Sequence, residues 1–201
     1  MENHDKNMPF QMLVLIVNPR LADKATKIFR KSTLSVQYRL NAEGTASSEI
    51  MDMLGLGSID KSILMSAVPR QLGDALLSRL RVELRLGSVD SGIAFTVSLT
   101  GLNKLLMRML VESDQEVAVH NIRKGGNIMS DTKYALIVAA VNIGFSGDVM
   151  DAARAAGASG GTVIHSRWIG NEEVAASWRL SMQEEKEIVL ILSEAEKKTE
   201  I

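Results

Sequence analysis

Residues 157–173 read GASGGTVIHSRWIGNEE, and the division of this stretch decides how the rest of the chain is parsed. Gly157 stands where a helix ends on a residue of positive φ. Thr162, Val163 and Ile164 are β-branched and suited to a pleated, half-buried surface, so a strand begins at about Gly161. Past His165 the apolar pattern lapses. Arg167, Trp168, Gly170, Asn171 and Glu172 read as a mobile loop hung from a rigid strand, the kind of place where function concentrates. The pair Gly160–Gly161 by itself calls for no more than close packing of helix on strand.

Working outward, the apolar run 134–141 (YALIVAAV) before this stretch and 187–192 (EIVLIL) after it read as strands. The first half of the chain has the same order. MLVLIV at 12–17 is a buried strand, and Asn18 and Pro19 supply the N-cap and first helical position of the helix that follows. Leu21, Ala25, Ile28 and Phe29 recur at helical spacing up to about Lys31. A second strand at about 35–40 leads into the polar stretch NAEGTASSE and the ambiguous IMDMLGLGSID. ILMSAV at 63–68 is the third strand, closed by Pro69. A helix over 70–86 then places Leu72, Leu76, Leu80 and Leu84 on one face as core. Gly87 stops that helix, SVDSG turns, and IAFTVSL at 93–99 is the fourth strand.

The order βαββαβ predicts an α+β, ferredoxin-like unit, an antiparallel sheet with two helices on one face. Shifting the chain by 124 positions puts Asn142 on Asn18, Thr162 on Tyr38 and 187–192 on 63–68 without a gap. The chain therefore reads as two copies, 10–100 and 132–201, joined by a linker at 101–131 in which LNKLLMRMLVES has the pattern of a short helix. At the same offset Ile201 falls on Leu77, so the second copy has no counterpart of IAFTVSL. Its first strand is expected to keep an open apolar edge that another segment or chain covers.

Composition narrows the function classes. A net charge of -1 gives no general attraction to nucleic acid or anionic lipid, and the few aromatics form no RNA-binding cluster. Cysteine is absent, which removes disulfides, thiol catalysis and thiolate metal sites and suits a reducing cytoplasm. His4, His120 and His165 are far apart and make no metal-ligand motif. The longest apolar run falls well short of the ~20 residues that cross a bilayer. Nucleophile elbow, phosphate-binding P-loop and paired catalytic carboxylates are all missing, so the expectation is a cytoplasmic protein that is not an enzyme.

GASGGTVIHSRWIG followed by EKEIVLIL resembles the nitrogen regulatory PII-like family of signalling proteins. That resemblance implies βαββαβ domains associating as trimers with sheets inward, adenine nucleotide (ATP or ADP) held between subunits, and a long loop after the second strand that reports to a partner protein. It implies a phosphate loop at LGSVDSGIAF, where Gly87 and Gly92 are in place, Ser88 stands for the family's lysine and Asp90 brings a negative charge in place of glycine. It matches Gly160, Gly161 and Thr162 to the family's Gly-x-Thr and Gly170 to the glycine that opens the signalling loop, with Asn171 where the family has arginine. These residues, with Arg167 as a substitute cation, make up the expected ligand site, and residues 166–180 the expected reporter. The expected partners are further copies of the chain in a homo-oligomer and the protein target of the loop. The other reading is a ligand-free oligomeric scaffold that kept the fold.

Overall fold

The strand β1 (Phe10–Val17) alternates between buried and half-buried residues, and its inward set Leu13, Leu15 and Val17 is fully buried. Burial of side chains of this size contributes about 1.5–3 kcal/mol each. The computed structural model describes residues 10–32, 36–44, 60–88, 91–112 and 133–201, and the fold is α+β with antiparallel strands. The chain divides into two compact units, Met1–Gly126 with Ile169–Leu180, and Asn127–Trp168 with Ser181–Ile201.

In the first unit β1 is followed by α1 (Pro19–Arg30), β2 (Gln37–Glu43), β3 (Asp60–Pro69), α2 (Arg70–Glu83), β4 (Ile93–Ser98) and α3 (Lys104–Glu112). The strands pair antiparallel in the order β4-β1-β3-β2. The Asn18 side chain caps α1 by accepting from the Arg20 N–H at 3.1 Å, and Pro19 takes the first helical position. Ala22, Ala25, Ile28 and Phe29 of α1 join Leu76 and Leu80 of α2 over β1 and β3 to form the core. The opposite face carries Met12, Val14 and Ile16 in register with Val97, Phe95 and Ile93. On that face the side chains of Ile93, Phe95 and Val97 remain exposed.

In the second unit β5 (Tyr134–Asn142), α4 (Ser146–Ala155), β6 (Gly161–Trp168) and β7 (Glu185–Glu194) repeat the first four elements. Both β5 and β6 pair antiparallel with β7. Met150 and Ala153 of α4 pack on Val189 and Ile191 with Ile137, Ala139 and Val141. Among the described residues β5 pairs with β7 alone, and its outward side chains Tyr134, Leu136 and Val138 are exposed. A short 3-10 helix, Ala195–Lys197, stands where α2 begins in the first unit.

Several boundaries differ from the sequence expectation, each for a physical reason. The second strand, Gln37–Glu43, continues past its expected end at 40, because its register against β3 continues to Glu43↔Asp60, and Ser35 lies outside the described residues. The helix α2 ends at Glu83 and not near Leu86. Arg85, at φ 53, takes the left-handed C′ position, and the Leu86 and Arg85 N–H groups donate to the Arg81 and Val82 carbonyls in a Schellman motif. Gly157, at φ 94, ends α4 by the same motif, in the role its sequence position suggests. The offset of 124 holds for β5 and β6, but the ladders place Ile188 opposite Ala140 where the equivalent β3 residue, Ile63, opposes Ile16. Thus β7 follows β3 at an offset of 125. One extra residue lies between the second and third strands of the second unit.

The largest departure is at 166–180, which is not a loop. The strand β6 continues to Trp168, whose side chain is buried, and α5 (Glu172–Ser177) follows, capped by the Asn171 side chain accepting from the Val174 N–H at 3.2 Å. Ile169–Leu180 belongs to the first unit although it connects two strands of the second. The stretches 45–59, 89–90 and 113–132, which include Asp90 and most of the linker, lie outside the described residues; α3 occupies the helical pattern read at the start of that linker.

The paired glycines have unequal roles. A Cβ on Gly161 would lie 2.6 Å from Met150 Sδ and 3.0 Å from the Leu190 carbonyl oxygen, whereas one on Gly160 would meet nothing within 4 Å. Gly161→Ala is therefore expected to destabilise the protein by about 1–3 kcal/mol, and Gly160→Ala to stay within about 0.5 kcal/mol of wild type. Urea denaturation midpoints of the two variants check this difference.

Candidate functional site

The loop after α2 holds three of the expected ligand residues together. The Ser88 hydroxyl donates to the Arg85 carbonyl at 2.8 Å, the Ser91 hydroxyl donates to the Ser88 carbonyl at 2.7 Å, and the Gly87 N–H donates to Ser91 Oγ at 3.1 Å. Gly87 and Ser88 are exposed, but the Gly87 amide is already engaged within the loop. Gly92 is buried at φ 111, and a Cβ there would stand 2.3 Å from the Ile16 carbonyl oxygen. Close approach to β1 is reason enough for this glycine.

In the second unit Gly160 precedes β6, Gly161 and Thr162 open it, and all three are exposed. Thr162 pairs with Leu190. Its counterpart in the first unit, Tyr38, is a phenol whose pKa burial pushes up to about 12. Arg167 is solvated, with its Nε 3.7 Å from Glu184 Oε2. An exposed pair of this kind contributes little to stability. Gly170 and Asn171 sit in the first unit, where with Arg30, Glu172 and Glu173 they line a shallow hollow. In the first unit Gly87, Ser88 and Gly92 thus share the loop after α2 and Gly170 and Asn171 line the hollow with Arg30, while Gly160, Gly161 and Thr162 are consecutive residues of the second unit.

The residues that sequence reasoning missed lie at the start of β7. Lys186 is 7% exposed, and its Nζ donates to Asn142 Oδ1 and to the Ser181 carbonyl. Both acceptors are neutral, and among the described residues no carboxylate pairs with this ammonium. Burial lowers its pKa. An ammonium has three N–H donors, so these two bonds leave one for another acceptor. Glu187 points to the opposite face, as alternation along a strand demands. Its Oε2 accepts from the Gly144 N–H at 3.0 Å and the Ser146 N–H at 3.2 Å, where α4 begins. The Ser146 hydroxyl first, then the Ser146 and Gly144 amides and the charge on His165, hold the Glu187 carboxyl below the ordinary carboxylate range against the cost of burial.

Lys61 occupies the position of Lys186 in the first unit, is also buried, and follows an acidic residue as Lys186 does. The shared pattern is Asp60-Lys61 against Glu185-Lys186, each opening the third strand. It is visible in the sequence only at the offset of 125, because 124 sets Lys186 against Ser62. Asn18 and Asn142 stand at the end of the neighbouring strand in each unit. No family model matches the chain, and no curated protein matches it. No helix among the described residues is long and apolar enough to cross a membrane.

Since the folded-state pKa of Glu187 lies below its ordinary 4.5, its contribution to stability is present above that value and is lost as pH falls through the folded value. Glu187→Gln is expected to lower the melting temperature at pH 7 and to flatten the acid side of the stability profile. Melting curves of both proteins from neutral pH down to pH 3 test the sign.

Proposed function

We propose that the protein is a cytoplasmic signalling regulator of the nitrogen regulatory PII-like kind, built from tandem ferredoxin-like repeats, that senses a small anionic ligand or adenine nucleotide and controls a partner protein. The observation that carries the reading is the buried Lys186, hydrogen-bonded only to neutral acceptors among the described residues, at a position where the first repeat also has a buried lysine. A buried cation without a counter-charge is costly unless an anion completes it. A carboxylate or phosphate would accept its remaining N–H in a charge-assisted hydrogen bond. The βαββαβ order with β4-β1-β3-β2 pairing, repeated as βαββ, supports the ferredoxin-like part of the reading.

A second reading, a ligand-free oligomeric scaffold, is favoured by the phosphate-loop remnant itself. The Gly87 amide bonds Ser91 within its own loop, and Ser88 supplies no positive charge. A thermal-shift panel of ATP, ADP, AMP, cyclic dinucleotides and bicarbonate separates the two readings. A ligand at 100 times its dissociation constant adds about 2.7 kcal/mol of stability. The regulator reading expects at least one ligand to raise the melting temperature and Lys186→Met to remove that rise. A flat response across the panel favours the scaffold.

Both readings include self-association, because the face of β1 and β4 that carries Val14, Ile16, Phe95 and Val97 is apolar and partly exposed. Light scattering at micromolar concentration is expected to give a mass above that of one 21.9 kDa chain. A monomer would count against this part of the reading.

A further inference from the structure

We propose that Ile169–Leu180 is a latch, docked on the first unit and able to release from it while the rest of that unit stays folded. The chain leaves β6 at Trp168, contributes residues 169–180 to the first unit, and returns at Ser181 to reach β7. Among the described residues, Ile169, Ala175 and Trp178 fasten the segment. The Ile169 N–H donates to the Gln37 carbonyl at 2.9 Å, and the Ile169 side chain, 2% exposed, joins the first unit's core. Ala175 is fully buried. The guanidinium of Arg108 on α3 lies over the Trp178 ring, 5.6 Å from its centroid.

The remainder of the segment favours release. α5 has six residues, too few to persist in water without docking. Arg179 closes it at φ 54, the left-handed conformation that side chains avoid. Gly170, Asn171, Glu172 and Glu173 line a hollow with Arg30 and do not fill it. Among the described residues, the buried side chains of Ile169 and Ala175, the Ile169 N–H bond and one cation–π contact therefore oppose a strained, short and largely exposed helix. Short segments with this much exposed backbone open locally at less cost than the strands beneath them. Release would offer a partner protein the acidic pair Glu172 and Glu173 between the freed side chains of Ile169 and Trp178.

This inference shares with the regulator reading the assignment of reporting to this region, but it needs no ligand, so the two can fail separately. Hydrogen exchange followed by mass spectrometry on the full chain without ligand tests it. Peptides covering 169–180 are expected to exchange at least 10-fold faster than those from β1 and β3. Arg108→Ala is expected to speed exchange in 169–180 alone by about 2- to 5-fold, the effect of losing an exposed cation–π contact, with Arg108→Lys falling between it and wild type. Exchange of 169–180 at the rate of β1 and β3 would overturn the proposal, as would an Arg108→Ala variant that leaves 169–180 unchanged or accelerates β1 and β3 equally. A flat ligand panel with the expected exchange pattern would remove the nucleotide reading and leave the latch standing.

Discussion

The antiparallel ladder between β1 and β3 is the constraint on which the first unit depends. Its register, Leu13↔Ser66 and Leu15↔Leu64, points one row of side chains toward α1 and α2 and the alternate row away from them. Because side chains alternate at every residue, a slip of one position would reverse both faces. The core, the place of β4 beside β1 and the turn through Gly92 all follow from that register. The second unit repeats the arrangement around β5 and β7, where one additional residue before β7 is absorbed ahead of the strand and the pairing stays in phase.

That phase also explains why the charged pair opening β7 can do two different things. Glu187 faces α4 and ends on the amides of Gly144 and Ser146, where unpaired N–H groups and the helix dipole favour a carboxylate. Lys186, one residue earlier, faces the other way and meets an asparagine and a backbone carbonyl. The adjacent opposite charges thus do not neutralise each other. In the first unit Ser62 stands where Glu187 would be and α1 is capped by Asn18 and Pro19 instead, so the two units solve the same helix start with different chemistry.

The connection after β6 shows how context overrides composition. Arg167, Gly170, Asn171 and Glu172 have the residue types of a loop, but Asn171 acts as a helix cap and Trp168 and Ile169 are buried on either side of the unit boundary. A polar residue with an N-capping side chain and a polar residue in a loop look alike in one dimension. What distinguishes them here is where Ile169 goes, and its destination lies more than 100 positions earlier in the chain, at Gln37.

The sequence by itself determined the existence and kind of most elements: strands at 12–17, 63–68, 93–99, 134–141 and 187–192, the helix after Pro19, and the leucine face of α2, whose Leu76 and Leu80 are buried with Leu84 just past its end. Apolar periodicity and capping residues are local signals, and local signals survive in a linear reading. Gly157 ended its helix for the same reason. Only the tertiary structure decided the one-residue shift of β7, the assignment of Ile169–Leu180 to the first unit, and the use of Arg85 where a glycine was expected. Each depends on which partners a strand or side chain meets across long stretches of chain. Lys186 illustrates the difference: a lysine beside a glutamate reads as solvated charge, and only strand pairing and burial set its ammonium on the neutral acceptors of Asn142 and Ser181.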